Sequence, residues 1–405
     1  MSKNKSKSRL KKSPKKQIGV GGLVLGPGEQ KYLRQVLKSH RLSYGPMSKR
    51  FEARWASAHD CQFAVFCNSG TSALHIGLAA LKEKYKWKDG DEVLVPSVTF
   101  VATSNIVIHN NMKPVFVDVD PKTYNIDPLK IEEKITKKTR AIIPVHLLGL
   151  PADMGPIMKI ARKHKLRVME DSAETTFAKY RGQAVGSFGD IGCYSTYVAH
   201  YIVTGVGGFA TTNDTDLAVR LRSLMNHGRD SIYISIDDDK GARGKRLHEI
   251  AAKRFSFVSL GHSFRATEME AAIGLAQLDK AQAIIGKRKD NAHRLTEGLA
   301  DLTDHIQLPT VPPDREHMFM MYPIVLRDAA KTKLVNHLEE RNIETRDLLP
   351  LLNQPVYKKL FGNIEEKYPV AKWLNRSAFY IGSHQDLKKG EIDYIIDTIH
   401  AFFRR

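Results

Sequence analysis

The chain of 405 residues has no stretch of about 18 consecutive apolar residues, so it offers no helix long enough to cross a bilayer. Its cysteines number three, Cys61, Cys67 and Cys193. They are too few and too scattered for a disulfide framework, a zinc site or an iron–sulfur cluster. That usage fits a reducing compartment, and the cytoplasm is the expected location. The first seventeen residues contain no acid and eight Lys or Arg, and the short apolar stretch behind them is broken by Gly19, Gly21, Gly22 and Gly26. This is not a secretory signal; residues 1–17 are expected to form a disordered, solubilising tail. No internal repeat is present.

What the chain does have is positive charge. The formal charge is +19, and without the eight cations of the tail the remainder still carries +11. No helix-turn-helix, zinc finger or aromatic RNA-binding motif accompanies it, which argues against nucleic acid and leaves an anionic small substrate or a solvated surface. Short β-branched runs alternate with helical patterns: residues 92–96, 113–120, 140–149, 167–171, 190–196 and 207–212 read as strands. Between them, helical periodicity is clear from Thr71 and from Pro156. This alternation predicts an α/β fold with a mainly parallel sheet over roughly residues 60–260, covered by helices on both faces. A Pro-rich break over 308–317 divides a large domain, 18–307, from a small α+β domain, 308–405, that ends in a helix from about Lys389. The polar run from Asp237 to about Lys245 reads as a mobile surface loop.

Several segments carry chemistry. Asn68-Ser69-Gly70-Thr71-Ser72 opens an amphipathic helix, and the unpaired amides and positive dipole end of such a helix make a phosphate cradle; an ordinary N-cap has the same appearance. Glu170 and Asp171 end an apolar strand, where an acid points into the ligand crevice of an α/β sheet. Asp171 could equally cap the next helix. Ser195 ends a further strand. Phe100 follows the strand at Val95, placed either to cover a flat ring or to pack in the core.

Taken together, the ordered motifs SGTSAL, PSVTFVATSN, KPVFVDVD, PVHLLGLPADM, EDSAET, GSFGDIGCYS, TGVGGF, NHGRD and EMEAAIGLAQL resemble the DegT/DnrJ/StrS family of sugar aminotransferases from about Leu23 to Tyr394. The resemblance implies a pyridoxal-phosphate enzyme of fold type I, with a three-layer large domain and a small C-terminal domain. It also implies a homodimer in which each site is completed by the partner subunit. By position, Gly70, Thr71 and Ser195 match residues that hold the cofactor phosphate. Phe100 matches the ring-stacking aromatic, Asp171 the partner of the pyridine nitrogen, and Glu174 a residue near the ring hydroxyl. Ser263 stands where the family carries an asparagine that reaches across the dimer to the phosphate, and Val206 replaces the glutamate of a TGEGG turn.

One departure changes the expected reaction. The family lysine that tethers the cofactor is here His200, and no lysine lies between Lys179 and Lys240. An imidazole cannot form that covalent link. The histidine, together with the segment Phe379 to Gln385, resembles the nucleotide-4-keto-sugar 3-dehydratase branch. There the amine-form cofactor, pyridoxamine phosphate, joins a sugar 4-ketone, a base removes a proton and the C3 hydroxyl is expelled. His200, titrating near neutrality, is the expected base; the alternative is a space-filling residue hydrogen-bonded near Thr204. The expected partners are a nucleotide sugar and glutamate as amino donor, with the cofactor held non-covalently. Conventional amino transfer, or a catalytically silent binding role, are the other readings of the same motifs.

Overall fold

β-Branched and aromatic residues dominate the segments that become strands. The computed structural model describes residues 14, 16–230, 240–327 and 330–404. The predicted tail therefore lies outside the described residues except for Pro14, Lys16 and Gln17, and so do positions 237–239 of the predicted loop.

Nine strands precede residue 213: β1 (Phe63–Cys67), β2 (Glu92–Pro96), β3 (Lys113–Val117), β4 (Thr139–Ile142), β5 (Arg167–Asp171), β6 (Lys179–Tyr180), β7 (Gln183–Ala184), β8 (Ile191–Ser195) and β9 (Gly208–Thr212). Seven of them form one sheet in the order β1-β9-β8-β5-β4-β2-β3. Its pairings are parallel from β3 through β8, and β9 runs antiparallel to both β8 and β1. The fold is the expected α/β arrangement, with three differences. The sheet ends at Thr212, and the run 140–149 is a strand only to Ile142, after which Leu147–Gly149 turn as a short 3-10 segment. β1 was not foreseen from the sequence.

The helix Gly70–Tyr85 is capped by the Ser69 hydroxyl, which accepts from the Ser72 amide at 3.0 Å. It lies close on the sheet because Gly77 has no side chain: a Cβ there would sit 2.9 Å from Met169 Sδ. Leu74, Ile76, Leu78 and Leu81 of this helix join the main core with Val93, Leu94 and Val168. Burying each such side chain contributes about 1.5–3 kcal/mol.

A second sheet follows, β10 (Ile306–Gln307), β11 (Met321–Leu326), β12 (Thr345–Asp347) and β13 (Ala378–Gly382), in the order β10-β11-β13-β12. Its core takes Leu295 from the helix Ala281–Gly298, Leu334 from Lys331–Glu339 and Ile395 from Lys389–Phe403. Ile18 of the N-terminal arm packs there too and bridges to Ile343. Among the described residues, no helix is long and apolar enough to cross a membrane.

Candidate active site

The carboxyl ends of β1, β2, β5 and β8 share one edge of the large sheet, the edge at which α/β folds place ligands. A cavity of about 650 Å³ opens there, and Gly70, Thr71, Phe100, Asp171, Glu174, Ser195 and His200 all line it. Seven of the eight residues singled out from the sequence thus meet in one place. Ser263 does not: it is exposed, away from this cavity, and its hydroxyl accepts from Arg265 Nη2 at 2.9 Å.

Gly70 and Thr71 begin the first turn of their helix, whose leading amides have no intrahelical partner. The close approach of β8 requires glycine, since a Cβ on Gly70 would lie 2.8 Å from Ser195 Cβ. Helix end and Ser195 hydroxyl therefore form one small pocket suited to an anion. Phe100 is 57% exposed and is not a core residue; its ring is available to cover a flat ligand.

Consecutive residues on a strand face opposite sides, and the two acids of β5 separate accordingly. Asp171 lines the cavity, accepting from Thr103 Oγ1 at 2.7 Å and from the Ala173 amide at 3.1 Å. Burial raises its pKa against the effect of those two bonds. Glu170 serves the other side. It accepts from the amides of Gly186, Phe188 and Gly189, each at 2.7 Å, and lies 3.1 Å from His146 Nε2. The GSFGD and PVHLLG motifs are thus explained by structure.

Glu174 accepts from the Leu148 amide at 2.8 Å, and burial, with Asp171 nearby, pushes its pKa up to about 7. A carboxyl poised there can give or take a proton near neutral pH. His200 is 9% exposed, and its Nδ1 is buried without a hydrogen-bond partner. Burial, and then the charge of Arg288, lower its pKa to about 3, so the imidazole is neutral throughout the physiological range. The expectation of titration near neutrality is corrected by this environment, although the ring remains in its proton-accepting form. Thr204 is no partner for the ring; its hydroxyl bonds Thr196 Oγ1 and the Val206 carbonyl, each at 2.6 Å.

The far wall is built by Val20, Gly21, Met320, Glu344, Arg346 and Tyr380, of which only Tyr380 lies in a segment singled out from the sequence. Arg346 stands opposite Tyr380 in the β12–β13 register. It pairs with Glu344, whose Oε2 accepts from the Val20 amide at 2.9 Å. Among the described lining residues there is no lysine, and Arg346 is the one positive charge.

Residues 25–400 match the DegT/DnrJ/EryC1/StrS aminotransferase family. A GDP-perosamine synthase of Caulobacter vibrioides is 34% identical over 388 residues, covering 95% of this chain and 97% of its own. A dTDP-4-dehydro-2,6-dideoxy-D-glucose 3-dehydratase of Saccharopolyspora spinosa is 31% identical over 400 residues, 95% of this chain and 86% of its own. Among solved structures, E. coli GDP-4-keto-6-deoxy-D-mannose-3-dehydratase with bound hydrated PLP superposes with a TM-score of 0.86 at 26% identity, covering 96% of this chain and 100% of that one. By the match along its length and by its fold, the chain belongs to the DegT/DnrJ/EryC1/StrS aminotransferase family and is an enzyme of the fold type I class.

Proposed function

We infer that the enzyme removes the 3-hydroxyl of a nucleotide-linked 4-keto hexose, using pyridoxal phosphate in its amine form, held without a covalent link. The observation that carries this reading is His200: a neutral imidazole on the cavity wall where the family motif has lysine, with no lysine among the described lining residues.

The cavity fits the cofactor. Gly70, Thr71 and Ser195 would hold its phosphate, since a Cβ on Gly70 would fill the space between them. Phe100 would cover one face of the ring, and Asp171, a buried carboxyl whose desolvation a cationic ring nitrogen would relieve, would hold the pyridine nitrogen. Glu174 would stand near the ring hydroxyl. Once bound, such a cofactor supplies an amine for the sugar ketone and a ring that takes up electrons.

The protein's own groups then divide the work. His200 offers a lone pair and no amine, so it accepts a proton and cannot replace the cofactor's covalent partner. Glu174 sits near half-protonation at neutral pH, fit to exchange a proton. Arg346 presents the charge that an anionic co-substrate, glutamate or the sugar nucleotide, requires. A homodimer completes the reading. Phe257, Val258 and Leu260 beside Ser263 are 50%, 64% and 96% exposed, an apolar run suited to a second copy that would bring Ser263 to the opposite phosphate site.

The family's own name favours a second reading, amino transfer. Incubation with cofactor, glutamate and nucleotide-4-keto-6-deoxyhexoses separates the two. Ammonia with a 3-deoxy sugar supports dehydration; an amino sugar as the sole product supports transfer and overturns the inference.

A further inference from the structure

The imidazole of His200 has no hydrogen-bond partner at Nδ1, so the ring is aimed through its backbone. The His200 amide donates to the Tyr197 carbonyl at 3.0 Å. The His200 carbonyl is held from below by Arg288, a residue of the helix Ala281–Gly298.

Arg288 is an unusual side chain. It is 0% exposed, and its described hydrogen-bond partners are all neutral. Asp386 acts on it only through its charge, and a buried guanidinium that bonds no carboxylate is strongly disfavoured unless its donors are satisfied in a specific geometry. Here Nη2 donates to the His200 carbonyl at 3.2 Å, Nη1 to the Met320 carbonyl at 2.7 Å and Nε to Gln385 Oε1 at 3.1 Å. Its plane lies 5.0 Å from the centroid of the Tyr201 ring, whose hydroxyl donates to the Glu174 carbonyl at 3.2 Å. One rigid fork therefore meets the loop carrying His200, the cavity-lining segment before β11 and the turn after β13. A lysine, with a single flexible nitrogen, cannot reproduce that fork.

We propose that Arg288 is the positioning residue of His200: it fixes the imidazole's height and direction in the cavity by tying the His200 carbonyl to Met320 and Gln385. The proposal rests on the reading of His200 as the proton acceptor. It also gives a role to the segment Ser383-His384-Gln385, which lies outside the cavity wall yet resembles the dehydratase branch. The same charge acts on the His200 titration, lowering it in addition to burial. The other ionisable groups around the cavity are Tyr197 on the same loop, Asp171 and Glu174 at and beyond β5, Glu344 and Arg346 at β12, and Tyr380 on β13.

The test uses the full chain and three changes, Arg288→Lys, Arg288→Gln and, as a milder one, Gln385→Leu, which removes a single acceptor. Two readouts are taken. The first is kcat and KM of the loaded enzyme, alone and in a His200→Asn background. The second is NMR titration of the His200 ring in cofactor-free protein, its signal assigned by its loss in His200→Asn. The proposal predicts that Arg288→Lys lowers kcat about tenfold or more with little change in KM, and that Gln385→Leu lowers it less. In the His200→Asn background neither change has a further effect, the non-additivity of residues that act as a unit. Arg288→Gln should move the His200 titration upward, while Arg288→Lys, which keeps the charge, should move it much less. Full additivity with His200→Asn, or folded variants with unchanged kcat and unmoved titration, would overturn the proposal. An unimpaired His200→Asn enzyme would instead remove the reading on which it rests. If both Arg288 variants fail to fold, Gln385→Leu decides: its kcat loss must vanish in the His200→Asn background, and persistence of that loss refutes the proposal.

Discussion

Glu170 and Asp171 are neighbours in the chain and serve opposite sides of the sheet: Asp171 lines the cavity, while Glu170 receives three backbone amides at 2.7 Å from the turn before β8. Arg167 of β5 also reaches this turn, pairing with Asp190 at 3.3 Å, but the three amides are held by Glu170. Glu170→Ala would leave the buried Gly186 amide and the half-buried amides of Phe188 and Gly189 without their acceptor, each at about 1–3 kcal/mol where water cannot replace it. Urea unfolding should show a loss of about 3 kcal/mol or more. A loss below about 1 kcal/mol would mean that water or a shifted turn replaces the carboxylate.

Gly70 and Ser195 make the second prediction. A methyl on Gly70 would press on Ser195 Cβ at 2.8 Å and on the Tyr194 carbonyl at 3.2 Å, atoms that belong to a buried strand. Gly70→Ala should crowd the anion pocket, displace Ser195 and weaken cofactor binding about tenfold or more, read by equilibrium dialysis, with the secondary structure kept. Unchanged affinity would place the phosphate elsewhere.

Acid should destabilise the fold. Burial lowers the pKa of His59 to about 4 and those of His200 and His317 to about 3, from an ordinary 6.5. Between roughly pH 6.5 and 4 the unfolded chain binds protons that the folded chain refuses, so stability falls as pH falls, by at most about 1.4 kcal/mol per unit for each histidine. Glu174, raised from 4.5 to about 7, acts in the opposite sense: its contribution is present below pH 4.5 and is lost as pH rises to 7. Asp171 is raised as well and shares that sign. Three histidines outweigh two carboxyls, and urea midpoints measured from pH 6.5 down to pH 4.5 should decline. A flat or rising profile would show that the histidines are hydrated.

Much of this site was legible in the sequence because its parts lie at the ends of strands and helices whose patterns are local. Asp171 and Ser195 close strands and Gly70 opens a helix, each with a clear hydrophobic signal, and His200 is visible through its place in a motif that in the resembled family carries lysine. Arg346 and Arg288 were not legible. Their roles depend on packing of the second sheet against the first, and Arg288 meets His200 across 88 positions of sequence. Of the two adjacent acids, Asp171 is the one named from the resemblance and the one that lines the cavity; strand alternation turns Glu170 to the other side, where its amide partners are not visible in the sequence. The pKa of His200 was missed because burial, which sets it, is a property of the folded neighbourhood.

On the proposed reading, His200→Asn removes the proton acceptor while keeping a side chain of similar reach. Turnover should fall on the order of a hundredfold to ten-thousandfold, with cofactor affinity held by the phosphate and ring contacts. Loss of binding in parallel with turnover would assign His200 to the cofactor site and not to proton transfer.

The most direct measurement is the ratio of 3-deoxy sugar to amino sugar formed from one nucleotide-4-keto-6-deoxyhexose by the native enzyme and by His200→Lys, each supplied with cofactor and glutamate. The native enzyme should form 3-deoxy sugar and release ammonia, and borohydride should trap no cofactor on the protein. The His200→Lys enzyme should acquire a borohydride-trappable cofactor and shift its product toward amino sugar. A native enzyme that yields only amino sugar, or a ratio that the lysine leaves unchanged, would contradict the account.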